Sequence, residues 1–231
     1  MLRRATDIRK LRIRAVDGDM GKVHDLYFDD RRWTVRYFMV VTGGWFRRRD
    51  VLISPASIGR IAHADTAIET VLTRDQVENA PRAEEDMPVS RQYEAAHAEY
   101  FGHRYYWTGP HLWGPDALPG APGEQNAPDS GARLPHGVES GEWGDAHLRS
   151  MVEVTGYALA AKDGSIGHVD DFVIDDESWE IRYMLVGTRN WLPGRHVLMA
   201  PSAVESVDWA ARTVHSRLDR EEIRERPEYT E

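Results

Sequence analysis

The chain has 231 residues, no cysteine and a formal net charge of −9. That length accommodates one large domain or two small ones, and the missing thiols exclude disulfides, thiolate catalysis and cysteine-based zinc sites. No apolar run approaches the ~20 residues needed to cross a bilayer, and the acidic balance argues against a nucleic-acid partner, whose footprint is a basic face.

The charge is uneven. Residues 1–81 carry 15 basic against 11 acidic side chains, 82–145 carry 4 against 11, and 146–231 carry 10 against 16. The basic part holds Arg3, Arg4, Arg9, Lys10, Arg12 and Arg14, then Arg47, Arg48 and Arg49. It reads as a solvated surface, or as a patch that docks on an acidic partner, on the acidic third part of the chain, or on an anionic membrane. The opening "MLRRATDIRKLRIRA" lacks the apolar stretch of a secretory signal. The expected location is therefore cytoplasmic, with a peripheral place at the inner membrane compatible with the charge.

In chain order, "VDGDMG" carries the Asp17-Gly18 signal of a tight hairpin turn, with Gly21 just beyond it. "KVHDLYF" and "WTVRYFMVV" follow, rich in β-branched and aromatic residues. Asp29 and Asp30 lie between them, where aspartate is favoured for bonding local backbone amides. A turn centred between Asp30 and Arg31 would place Asp25 opposite Arg36 and Val23 opposite Phe38, matching charge with charge and apolar with apolar. "TGGW" turns the chain at Trp45, "DVLISP" is a further strand, and "GRIAHADTAIETVL" reads as a hairpin. Thr73 with Gln76 forms a capping box for a short helix that Pro81 closes.

Residues 82–145 are a connector. "SRQYEAAHAEYF" reads as a helix, then comes an aromatic block with Tyr105, Tyr106, Trp107 and Trp113, then a Pro/Gly/Ser-rich linker. Four such rings seldom remain in water. They are expected to pack as a clip between the flanking domains, the alternative being a partner-binding surface.

From Leu148 the chain repeats itself. Adding 146 to each number aligns residues 2–81 with 148–227 without a gap, and roughly a quarter to a third of the positions agree. Asp163, Gly164 and Gly167 match the first turn, Asp171 and Arg182 match the charge pair, and Trp191 matches Trp45. Asp219 with Glu222 repeats the capping box. The expectation is a mainly β chain of two tandem small antiparallel barrels, 1–81 and 146–231, each ending in a short helix.

The pattern "DGxxGxVxDhhhDD…WxhRYhhV…VLhSP" with h apolar, which the second repeat follows except for Ala200 in place of Ser54, resembles the PRC-barrel family. That family is named for the cytoplasmic domain of the H subunit of purple-bacterial photosynthetic reaction centres. The pattern is also similar to the C-terminal domain of a bacterial ribosome maturation factor. The resemblance implies two barrels that dock on other macromolecules, without catalysis or cofactor, and is compatible with a place at the periphery of a membrane or photosynthetic electron-transfer complex. The sequence itself has no phosphate loop, nucleophile elbow, zinc helix or EF-hand loop, and no catalytic or metal residue is assigned. His168 with Asp170 is the nearest approach to a ligand pair. The alternative function is a small-ligand or anion-binding regulator using a cleft between the barrels, walled by Trp45, Trp191 or the central rings.

Overall fold

The computed structural model describes residues 1–42, 49–59, 61, 66–81, 89, 91–120, 148–187 and 196–229. The first repeat runs β1 (Leu2–Arg4), α1 (Ala5–Ile8), β2 (Arg12–Ala15), β3 (Gly18–Asp29), β4 (Thr34–Thr42), β5 (Arg49–Ile53), a 3-10 turn at Pro55–Ser57, β6 (Ala67–Glu69) and α2 (Arg74–Glu78). The connector supplies α3 (Arg91–Phe101). The second repeat runs β7 (Leu148–Ser150), α4 (Met151–Val154), β8 (Ala158–Ala161), β9 (Gly164–Asp175), β10 (Ile181–Gly187), β11 (His196–Met199), a 3-10 turn at Pro201–Ala203, β12 (Val204–Asp208), β13 (Thr213–Ser216) and α5 (Arg220–Arg224).

The chain is mainly β, and each repeat builds one sheet. The first sheet has the order β5-β4-β3-β2-β6 and the second β11-β10-β9-β8-β13-β12. Neither closes into a barrel, and neither is wholly antiparallel, because β6 lies parallel to β2 and β13 parallel to β8. β6 is the edge strand of its sheet, whereas β13 is flanked by β8 and by β12, which adds one strand to the second sheet.

The local signals are realised. Gly18 and Gly164 adopt φ of 141° and 135° in the tight turns, and the aspartates before them bond to the start of the terminal helices. Asp17 Oδ1 accepts from the Arg74 amide at 2.9 Å, and Asp163 Oδ1 from the Arg220 amide at 2.8 Å. Gly21 is obligatory, because a Cβ there would stand 2.1 Å from the Val41 carbonyl oxygen. Gly167 occupies the equivalent place in β9, opposite Leu159. Both capping boxes form as expected. Thr73→Ala and Asp219→Ala should each lower stability by about 1 kcal/mol, read as similar drops in melting temperature. A null effect at one site would show that its helix is held by packing alone.

The register of the central hairpin differs from the expectation. Asp25 stands opposite Met39 and Val23 opposite Val40, with Phe28 opposite Val35. His24 on β3 and Arg36 on β4 are extra residues at two β-bulges, which shift the ladder and turn the side chains that follow. In the second repeat Asp170 and Arg182 are the extra residues at the same places, and Asp171 faces Leu185. The turn is also longer than expected. Trp33 and Trp179 close it in the left-handed region, at φ of 50° and 61°, a conformation rare for a bulky residue. The expected cross-strand pairs Asp25/Arg36 and Asp171/Arg182 are therefore absent.

Each repeat gives its first strand to the sheet of the other. β1 pairs antiparallel with β9, Leu2 opposite Asp175 and Arg4 opposite Val173. β7 pairs with β3 in the same register, Leu148 opposite Asp29 and Ser150 opposite Tyr27. The repeat offset of 146 turns one set of pairs into the other, so the repeats are related by a pseudo-twofold axis. That axis passes through the isolated bridge Thr34 to Glu180, which are equivalent residues. Beside it the Val35 amide donates to the Trp179 carbonyl at 2.8 Å, and the Ile181 amide to the Trp33 carbonyl at 2.7 Å. The two left-handed tryptophans are thus the residues whose carbonyls cross the axis. Around them lies one continuous core, with Phe28 against Phe172 (ring centroids 5.7 Å apart) and Phe38 edge-on to Trp179 (4.9 Å). Each ring buried there contributes roughly 2–3 kcal/mol.

Candidate functional site

The junction of the repeats concentrates the buried charge. Asp25 and Asp171 are 3% and 1% exposed. Neither carboxylate meets the arginine expected from the sequence; each serves the first turn of the other repeat. Asp171 Oδ1 accepts from the Thr6 and Phe172 amides at 3.3 and 2.8 Å, and Oδ2 from Thr6 Oγ1 at 2.6 Å and Arg4 Nε at 2.8 Å. Asp25 Oδ1 accepts from the Leu26 and Val152 amides at 2.7 and 3.1 Å, and Oδ2 from the Ser150 hydroxyl. The strands β1 and β7 thus arrive with their helices already capped from across the axis. Among the described residues no cation pairs directly with Asp25, and burial raises its pKa against the lowering effect of the Ser150 hydroxyl, the two amides and the more distant Arg9.

The turn aspartates divide their work. Asp29 Oδ1 accepts from the Arg31 and Arg32 amides at 2.9 and 3.2 Å, the local turn bonding expected of it. Asp30 and its counterpart Asp176 reach across the axis instead, to Arg149 Nε at 3.1 Å and Arg3 Nε at 2.7 Å. Much of the basic first part is accordingly spent inside the chain. Arg3 and Arg4 dock on acids of the third part, Lys10 pairs with Asp7, and Arg12 and Arg14 pair with Asp19. Of the arginine triplet only Arg49 is among the described residues; it donates to the carbonyls of Glu78 and Ala80.

Arg36, set inward by its bulge, is 1% exposed. Its guanidinium lies 3.9 Å from the Tyr106 ring centroid and 4.9 Å from that of Trp113, and donates to the Leu112 carbonyl at 2.6 Å. Asp29 stands 3.6 Å away as a longer-range counter-charge. Burial lowers the arginine's pKa, and the two aromatic faces replace part of the lost hydration. Arg182, at the equivalent bulge, is exposed and pairs with Glu180 at 2.5 Å. The difference is the connector, which covers the first repeat at this point.

The aromatic block is that cover. Tyr105, Tyr106 and Trp113 are 6, 6 and 7% exposed, so they are not available as partner contacts; Trp107 is half-buried, stacked on Tyr105 at 4.8 Å. Trp113 Nε1 donates to the Ser178 carbonyl of the second repeat at 2.8 Å, while its ring faces Arg36 of the first. Residues 102–116 thus clip the two repeats together, as the density of rings suggests. The clip folds back on itself at Gly109 and Gly114, whose positive φ and mutual approach leave no space for a Cβ. Trp45 and Trp191 lie outside the described residues.

Two further features are completed only by the fold. His168 Nε2 lies 2.9 Å from Asp170 Oδ1, and His196 Nε2 lies 2.5 Å from Asp170 Oδ2. The fold adds His196 to the pair seen in the sequence, and Gly187 gives the cluster room, since its Cβ would stand 3.0 Å from the His168 ring. The first repeat has Lys22, His24, Asp50 and Val41 at these four positions. Each imidazole is committed to its own carboxylate oxygen, and among the described residues no group of three His, Cys, Asp or Glu is placed to hold a metal ion. Separately, a cavity of about 240 Å³ is lined by Arg12, Asp19, Gly21, Thr42, Arg74 and Glu78, among others. It lies within the first repeat, not between the two.

No family model matches the chain. Over 78 residues, 33% of its length, it is 33% identical to an uncharacterized protein of Deinococcus radiodurans. The matched stretch, about as long as one repeat, is 28% of that protein, so the chain spans well under two thirds of the relative's length.

Proposed function

We propose that the chain is a non-catalytic interaction module of the PRC-barrel type, a fixed pair of related lobes that docks on another protein or complex. The observation that carries this reading is the reciprocal strand exchange. The residues most suggestive of chemistry are spent on structure: the buried Asp25 and Asp171 lock one lobe to the other and the buried Arg36 anchors the connector on the first lobe, while the surfaces turned outward have diverged. The first lobe shows Arg12 and Arg14, both exposed and paired with Asp19, where the second has Ala158 and Ala160, and the second shows Glu205, Asp208 and Glu221. A rigid frame with two different faces suits a scaffold. A peripheral place at a membrane or photosynthetic electron-transfer complex belongs to this proposal; among the described residues no helix is long and apolar enough to cross a membrane. No nucleic acid or cofactor enters the reading.

The second reading, a small-ligand or anion-binding regulator, is favoured by the cavity of about 240 Å³ with Arg12 and Arg74 in its wall. Affinity capture from native extract, run beside a variant with Glu205 and Asp208 changed to lysine, separates the two. A defined protein retained by the native chain and lost with the variant is the expected result. Equal capture by both, together with a ligand-induced rise in melting temperature that Arg74→Ala abolishes, would overturn it.

A further inference from the structure

Two imidazoles hold the connector on the first sheet. His97, on α3, is 1% exposed, and its Nε2 lies 2.8 Å from the Leu52 carbonyl on β5. Nε2 therefore carries the proton and donates, while buried Nδ1 has no hydrogen-bond partner among the described residues. Tyr37 of β4, Tyr93 and Phe101 enclose the ring, at centroid distances of 5.0, 5.9 and 4.7 Å. His103, just past α3, is 7% exposed with Nε2 2.8 Å from Ser57 Oγ in the turn after β5. Its ring stacks on Phe101 and lies 6.2 Å from that of His97.

One turn before His97 stands a third titratable group. Glu94 is 2% exposed, accepts from the Tyr106 hydroxyl at 2.5 Å and pairs with Arg91 at 2.9 Å. Asp29 and Arg36 act on it through space. The titratable and charged groups facing the clasp are thus Tyr37 and Tyr93 for His97, the other imidazole for each histidine, and Arg91, Arg36, Asp29, Tyr37 and Tyr106 for Glu94.

We propose that this contact is an acid-released clasp: protonation of His97 and His103 lifts α3 from β4 and β5 while the strand-exchanged frame stays folded. Protonating His97 puts an N–H at Nδ1, where nothing accepts it. Protonating both rings sets two positive charges side by side in an apolar enclosure. Release uncovers the Tyr37 and Leu52 side of the first sheet, which α3 otherwise covers.

The direction follows from linkage. Burial pushes His97 down to about 4 and His103, also opposed by His97, down to about 3. Their contribution to docking is complete above the ordinary histidine value and is lost as pH falls below about 6.5. Burial pushes Glu94 up to about 7 despite Arg91, so its contribution is complete at low pH and is lost as pH rises through about 7. Between about pH 6.5 and 4.5, release takes up two protons at the histidines and gives back one from Glu94, a net uptake of about one.

The test is hydrogen exchange of the full chain from pH 7.5 to 4.5, corrected for intrinsic rates and read separately for α3 and for β3 and β9. Protection of α3 should fall about tenfold per pH unit below 6.5, with β3 and β9 holding. Glu94→Gln removes the returned proton and should steepen the fall to about a hundredfold per unit. The paired change His97→Gln with His103→Gln should abolish the acid loss. Constant α3 protection, loss in step with β3 and β9, or an undiminished fall in the paired variant would each overturn the clasp. If the paired variant leaves α3 unprotected at pH 7.5, the slope of Glu94→Gln decides, and an unchanged slope refutes it.

Discussion

Asp171→Asn should destabilise the protein by about 3 kcal/mol, while Asp25→Asn should leave stability unchanged or slightly raised at neutral pH. The two carboxylates hold equivalent positions, so the contrast isolates their partners. Asp171 Oδ2 accepts from Arg4 Nε and Thr6 Oγ1. An amide nitrogen there would face the guanidinium donor to donor and remove the carboxylate that Arg4 Nε donates to. Arg4 keeps a quarter of its side chain in water, which holds the cost at the lower end for breaking such a pair. At Asp25 the oxygen that would become an amide faces Ser150, whose hydroxyl can turn to accept. Because burial raises the Asp25 pKa, the stability linked to this group is complete below the ordinary aspartate value and declines as pH rises through its folded value. Neutralising it removes that decline. Denaturant midpoints of the two variants at pH 7 give the comparison, and equal losses would show that the capping geometry, not the charge, dominates.

Replacing Trp107 and Trp113 together by serine should cost about 3–5 kcal/mol, most of it from Trp113. Trp113 is buried in the common core and hydrogen-bonded to the second repeat, whereas Trp107 is half in water. Protease cutting within residues 102–114 should rise by about an order of magnitude or more, in line with the local stability lost. The particle should nevertheless keep its radius of gyration in solution scattering. The exchanged strands, not the clip, hold the repeats together, and the clip adds to them. An extended particle would reverse that ranking.

The sequence shows clearly what depends on short spacing. The tandem repeat, the Asp-Gly turns and both capping boxes are local patterns, and the structure realises them at the expected residues. The hairpin register fails because apolar residues on both sides of Asp25 and Arg36 satisfy more than one alignment. Nothing in "HDLYFDDRRWTVRYFMV" marks His24 and Arg36 as bulged or Trp33 as left-handed. The exchange is hidden for a different reason. Strands as short and alike as "LRR" and "LRS" fit either sheet, and local pattern cannot say which copy of β3 they join. One signal does survive in the sequence. Arg3 with Arg149, and Asp30 with Asp176, are opposite charges kept in both repeats, as a reciprocal pairing requires. His196 could not be foreseen beside Asp170, because β11 brings it there from far along the chain.

Reciprocal exchange of first strands is the central claim, and disulfide trapping tests it directly in a chain with no cysteine of its own. Leu2 and Asp175 are directly opposed and partly exposed, so the variant Leu2→Cys with Asp175→Cys is placed to close a bond across the strands. Mass spectrometry of the monomer after mild oxidation should find that bond formed within one chain. Leu2→Cys with Asp29→Cys, the pairing each repeat would use if it kept its own first strand, should remain reduced. Oxidation of the second variant and not the first would contradict the account.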